Sequence, residues 1–140
     1  MSNISHKNYA MLLEDVMKGD YRYGWDPEDL WKFVEDKKTI TYKTNDVKHW
    51  IYMPCWSHYD CFISIFQTIK QPQNFPDHIQ RIKKSKLDYP LIIVEDKYDK
   101  FGTILDGNHR FAKIIKTNKK TFKVKYVKLK DIKKLKKRIN

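Results

Sequence analysis

Apolar and polar positions along the chain change period several times, and each change predicts an element. Tyr9, Leu12, Leu13 and Val16 form one stripe at helical spacing, predicting a leading helix over the first 20 or so residues, which Gly19 and Gly24 close. Asp26-Pro27-Glu28 is a helix start: a capping carboxylate, proline at the first helical position and an acid in the first turn. Leu30, Trp31, Phe33 and Val34 supply the buried side expected of that helix. Lys38 to Lys43 alternates and is β-branched, so it predicts a strand. An aromatic, apolar stretch from Trp50 to Trp56 is interrupted by Pro54, and Phe62 to Ile69 then reads as a helix stopping near Pro72. Pro76 restarts a helix through Ile79 and Ile82 to about Lys84.

The second half reads more regularly. Leu91 to Val94 is a buried strand, and Thr103 to Leu105 is its partner across a turn containing Gly102. His109 to about Thr117 is an amphipathic helix with Phe111, Ile114 and Ile115 turned inward. Phe122, Val124 and Tyr126 alternate with Lys123 and Lys125, predicting an edge strand with one wet face. Asp131 is expected to cap a last, basic helix over about 131–139, with Ile132, Leu135 and Ile139 as its stripe. The sum is an α/β chain with a mixed sheet in one compact domain of 140 residues, long enough to bury a core without disulfides.

Charge changes this picture at one end only. Residues 1–110 carry 16 basic and 16 acidic side chains, whereas 111–140 carry 13 basic residues against one acid and so hold the whole excess. Such asymmetry points to a phosphate-rich partner, nucleic acid or nucleotide, with Lys133, Lys134, Lys136, Lys137 and Arg138 as candidate nucleic-acid contacts. A compositional explanation competes: 25 lysines against four arginines and only two alanines are what an AT-rich coding genome produces. Sequence-specific DNA readers favour arginine forks over lysine point charges. No apolar run is long enough to span a bilayer and the first residues have no apolar signal core, so a cytoplasmic protein without a membrane partner is expected. Cys55 and Cys61 read as reduced thiols, and no spacing of His and Cys predicts a metal site. Trp50, Tyr52, Trp56 and Tyr59 are dense enough to stack nucleic-acid bases, although beside Ile51 and Met53 they fit a core better.

The chemistry concentrates in Ile104-Leu-Asp-Gly-Asn-His-Arg-Phe-Ala. A strand ending in Asp106-Gly107 and a helix opening with Asn108, His109 and Arg110 would bring free backbone N–H groups, a helix dipole and a guanidinium to one point. That is a way of holding phosphate. Gly107 would permit close approach of an anion, Arg110 would offer a fork of donors, His109 a further donor, and Asp106 a cap or a contact to a metal–nucleotide. His78 and Arg81, three residues apart on a helix, are a candidate second anion contact. Glu95 and Asp96, at a strand end, are candidate bases or metal ligands, and His109 is a third catalytic candidate.

This constellation resembles the ParB/sulfiredoxin superfamily, over roughly Tyr89 to Tyr126, with a phosphate-turn module at about 86–128. His78 to Pro90 is also similar to ParB-like proteins of viruses and bacteria. The resemblance implies a single ParB/sulfiredoxin-like domain whose turn binds nucleotide phosphates. A nucleotide-dependent kinase or triphosphate hydrolase with Mg²⁺ is the enzyme class implied, and a non-enzymatic nucleic-acid-binding module is the alternative. A small viral protein that binds a host partner and keeps the turn only as scaffold is a third. The turn is similar to that of free-serine kinases, with Asn108 in place of their first histidine. Asn108 also stands where sulfiredoxins carry their reactive cysteine, which argues against sulfinate repair. Only 30 residues follow Arg110, too few for the DNA-reading domain of partitioning ParB proteins.

Overall fold

The computed structural model describes residues 9–58 and 61–139. Its elements run α1 (Leu13–Met17), β1 (Tyr23–Gly24), α2 (Pro27–Val34), β2 (Ile40–Lys43), a 3₁₀ segment (Thr44–Tyr52), β3 (Pro54–His58), β4 (Cys61–Ser64), α3 (Ile65–Lys70) and a 3₁₀ turn (Pro72–Asn74). Then follow α4 (Pro76–Lys84), β5 (Leu91–Asp96), β6 (Asp99–Asp106), α5 (Asn108–Lys116), β7 (Thr121–Val127), α6 (Leu129–Ile132), a 3₁₀ turn (Lys133–Leu135) and β8 (Lys137–Arg138).

The centre is a mixed four-stranded sheet of order β2-β7-β5-β6, in which β5 and β7 are parallel and the outer pairs antiparallel. Leu91-Ile-Ile-Val94 is apolar throughout because the sheet is covered on both faces. Leu91 and Ile93 pack into one core with Trp50, Ile82, Phe111, Ile114, Phe122 and Val124. Ile92 and Val94 pack into another with Trp25, Leu30, Val34, Leu105 and Ile132. The chain is thus α/β, as its pattern predicts.

Several elements differ from their expected form. The leading helix shortens to α1, while Ala10 pairs with Trp25 in an antiparallel bridge; residues 1–8 lie outside the described region. Asp26 caps α2 by accepting from the Glu28 N–H, but Trp31 on that helix is 53% exposed rather than buried. Phe62 and Ile63 are strand, and the helix begins only at Ile65. Ser64 makes the break, its hydroxyl accepting from the Gln67 N–H while the Gln67 side chain accepts from the Ser64 N–H, a reciprocal cap that outweighs the helical spacing before it. Gly102 is not in the hairpin turn, which falls at Lys97-Tyr98. It sits inside β6 at φ +78°, where a Cβ would lie 2.5 Å from the Val94 carbonyl oxygen.

Two differences concern the basic end. β7 is interior, not an edge: β2 pairs along one side and β5 along the other. Its lysines are tied down, Lys123 donating to the Thr41 hydroxyl and Lys125 to the Val34 and Glu35 carbonyls at the C-terminal end of α2, where a cation suits the helix dipole. The expected basic helix over 131–139 is instead one turn of α-helix, a 3₁₀ turn and the two residues of β8, paired with β1. Asp131 does not cap it. The Leu129 N–H at its start donates to Oε1 of Glu95.

Candidate functional site

Asp106 ends β6, and Gly107 to Arg110 lead into α5. Gly107 takes φ +116°, a region that L side chains rarely adopt, and a Cβ there would meet Leu91 Cγ at 2.9 Å and Arg110 Nη1 at 3.2 Å. Glycine is therefore demanded twice, by conformation and by space. No side chain caps the helix it begins. The first helical bond runs from the Phe111 N–H to the Gly107 carbonyl, so the N–H groups of Asn108, His109 and Arg110 have no intrahelical acceptor. Asn108 itself is half-buried and borders a small cavity of about 80 Å³ shared with Trp50, Met53 and Cys55.

Arg110 folds back beneath this turn. Its Nε donates to the Lys86 carbonyl at 3.0 Å and its Nη1 to the Pro90 carbonyl at 3.1 Å, with the guanidinium over the Tyr89 ring at 5.7 Å. Burial lowers its pKa, opposed by attraction to Asp106, and a guanidinium so placed stays charged at neutral pH. Two bonds to backbone fix the fork while Nη2 meets no acceptor among the described residues. Asp106 accepts at Oδ2 from the Trp31 indole N–H at 2.9 Å. Two exposed aromatic rings, Trp31 and Tyr89, thus touch residues of the turn.

His109, a candidate phosphate donor or rider on the helix start, meets a second histidine. Its Nε2 lies 3.0 Å from Nδ1 of His78 on α4, a distance at which one ring donates and the other accepts. Trp56 on β3 stacks on both rings, with centroids 4.5 Å from His78 and 4.3 Å from His109. Burial, then the neighbouring His78 and Arg81, depress the His109 pKa from the ordinary 6.5 to about 3, so it is neutral at physiological pH. This stack fastens the first turn of α5 to α4 and β3. It brings His78 to the first turn of α5, with Arg81 near enough to act on His109, and adds Trp56, whose part no sequence signal could reveal.

Glu95 and Asp96 are not brought to the turn. In the β5–β6 register Asp106 faces Ile92 whereas Asp96 faces Asp99, so Glu95 and Asp96 stand about 10 and 13 Å away along the strand, at the hairpin end. There Glu95 holds the Leu129 N–H and Asp96 the Tyr98 N–H. The expected nucleic-acid contacts are partly engaged too: Lys136 pairs with Asp15 at 3.2 Å and lies over Trp25, Lys137 is 3.5 Å from Asp29, and Arg138 lies over Tyr23. Lys133 and Lys134 are exposed. His49 meets Asp99, fifty residues away in sequence, at 2.6 Å.

Cys55 and Cys61 are unbridged, and burial raises the Cys55 pKa. Among the described residues no three or more His, Cys, Asp or Glu side chains gather as a metal site, and no helix is long and apolar enough to cross a membrane. Against this geometry, no protein-family model, curated protein or solved structure matches the chain.

Proposed function

We propose that the chain binds a nucleotide through its phosphates at Asp106–Arg110. The observation that carries this reading is the pairing of an uncapped helix N-terminus with a guanidinium already immobilised by two backbone carbonyls and still offering Nη2. Ordering an arginine from solution costs side-chain entropy of order 1–2 kcal/mol. Here the fold has already ordered it, so a phosphate meets a set fork beside free N–H groups and the positive end of a helix. Trp31 and Tyr89, both more than half exposed, supply faces on which a base can stack.

Mg²⁺ accompanying the nucleotide has one carboxylate oxygen to meet, Oδ1 of Asp106. That suits an ion that takes one or two carboxylates and otherwise phosphates and water. Phosphoryl transfer and nucleotide hydrolysis are the reactions natural to such a site. Neither is part of the proposal, because Glu95 and Asp96 stand at the far end of the hairpin and His109 is committed to its stack. The ParB/sulfiredoxin resemblance supports the same reading of the turn, and this chain would then be a binding member of that kind.

The test is calorimetric titration of wild type and Arg110→Ala with ATP, ADP, CTP and GTP, with and without Mg²⁺. Thermal denaturation of both proteins without ligand controls for folding. Saturable binding by wild type that falls at least about tenfold in a folded variant, the value of roughly 1.5–3 kcal/mol for a charged hydrogen bond, is expected. Absence of binding by folded wild type would overturn the proposal.

A further inference from the structure

A second surface, on the other end of α5, is unconnected with the turn. The 3₁₀ segment, the end of β2 and the connection from α5 to β7 enclose an open groove of about 530 Å³. Its floor is aliphatic, formed by Ile51, Ile114 and Ile115, and its rim carries Lys43, Lys48, Lys119 and Lys120. All four lysines are exposed, and none of their ammonium groups meets a carboxylate among the described residues. Of the described lysines only Lys18, Lys136 and Lys137 pair with a carboxylate, so what sets these four apart is that they gather round one apolar floor. No acidic and no aromatic residue lines the groove.

The groove is preformed. Asn118 ends α5 in the left-handed conformation, φ 54°. Around it the Lys119 N–H returns to the Ile114 carbonyl and the Asn118 N–H to the Ile115 carbonyl, a closed helix terminus. Thr44, buried, then pins the two lysines of the rim by their backbone: its hydroxyl donates to the Lys119 carbonyl at 2.6 Å and its N–H to the Lys120 carbonyl at 2.9 Å. Little backbone ordering is left for a ligand to impose.

We propose that this groove docks an acidic peptide segment of another protein, with apolar anchor side chains on the isoleucine floor and carboxylates against the lysine rim. Charge complementarity selects the acidic partner. The floor separates a peptide from a nucleic-acid strand: single strands are held by aromatic faces on which bases stack, and here there are none, whereas aliphatic side chains find a matching surface.

A random peptide display library selected against the wild-type protein, with counter-selection against Lys48→Glu/Lys120→Glu, tests this. Both substitutions fall on exposed side chains, and circular dichroism confirms that the variant is folded. Enriched sequences should combine Asp or Glu with Leu, Ile or Phe. As synthetic peptides they should shift the amide signals of residues 43–51 and 114–121 and lose at least about tenfold in affinity for the variant. Enrichment of nothing, of sequences without acids, or of peptides that bind the variant equally well would overturn the proposal. So would an oligo-dT strand that displaces the peptides and loses affinity in the same variant, since the groove would then be a nucleic-acid site.

Discussion

Arg110 and His109 are adjacent at the start of one helix, yet the fold uses them for opposite purposes. Arg110 is held so that part of its guanidinium remains available, and His109 is half-buried in a ring stack that keeps it neutral. The histidine has a measurable consequence. Its folded pKa of about 3 lies below the unfolded 6.5, so between those values the unfolded chain binds more protons and stability rises with pH. Acidification through this window should therefore destabilise the protein, at a limiting slope of about 1.4 kcal/mol per pH unit from this residue. His109→Phe, which keeps an aromatic ring against Trp56, should flatten the slope in denaturation series between pH 6.5 and 3; an unchanged slope would show that His109 is not held neutral in the fold. Gly107→Ala should cost about 1–3 kcal/mol through its positive φ alone, with the Leu91 contact adding to it, and a shift in denaturation midpoint reads this directly.

At the scale of elements, local chemistry was the legible part. Pro27 behind Asp26, Pro76, and the strand-to-helix turn at Gly107 all start elements where the sequence predicts them, because each signal acts through its own backbone. What was not legible depended on partners distant in sequence. Lys123 and Lys125 alternate with apolar residues as an exposed strand would, but the carbonyls and hydroxyl that absorb their charge come from residues 34, 35 and 41. Ile132 and Leu135 have helical spacing, but pairing of Lys137 and Arg138 with β1 draws the chain out after one turn. Likewise the meeting of Trp56, His78 and His109 joins three elements and leaves no trace in periodicity. Ser64 is a local signal that helical spacing obscured. Ser64→Ala should remove one half of its capping box and cost about 1 kcal/mol in chemical denaturation. A neutral result would mean that β4 pairing, not the cap, sets where α3 begins.

Over the whole molecule the charge of +12 is distributed into distinct roles rather than one basic face. Lys136 and Lys137 tie the C-terminal end to acids of the first 30 residues, Lys125 serves α2, and Lys43, Lys48, Lys119 and Lys120 surround the isoleucine groove. A nucleotide bound at the turn should therefore respond weakly to salt, losing well under about a hundredfold in affinity between low and moderate ionic strength. A protein that neutralises many backbone phosphates loses about 10³–10⁵ over a comparable range. In the proposed reading the phosphates of a nucleotide sit at Gly107–Arg110 and not on the lysine-rich surfaces. Titration of ¹⁵N-labelled protein with Mg²⁺–ATP, followed amide by amide, tests it most directly. Saturating shifts are expected at Gly107 to Phe111 and at the Trp31 indole N–H, with the amides of 43–51 and 118–121 unmoved. Shifts confined to those lysine segments or to residues 133–138, with the turn silent, would contradict it.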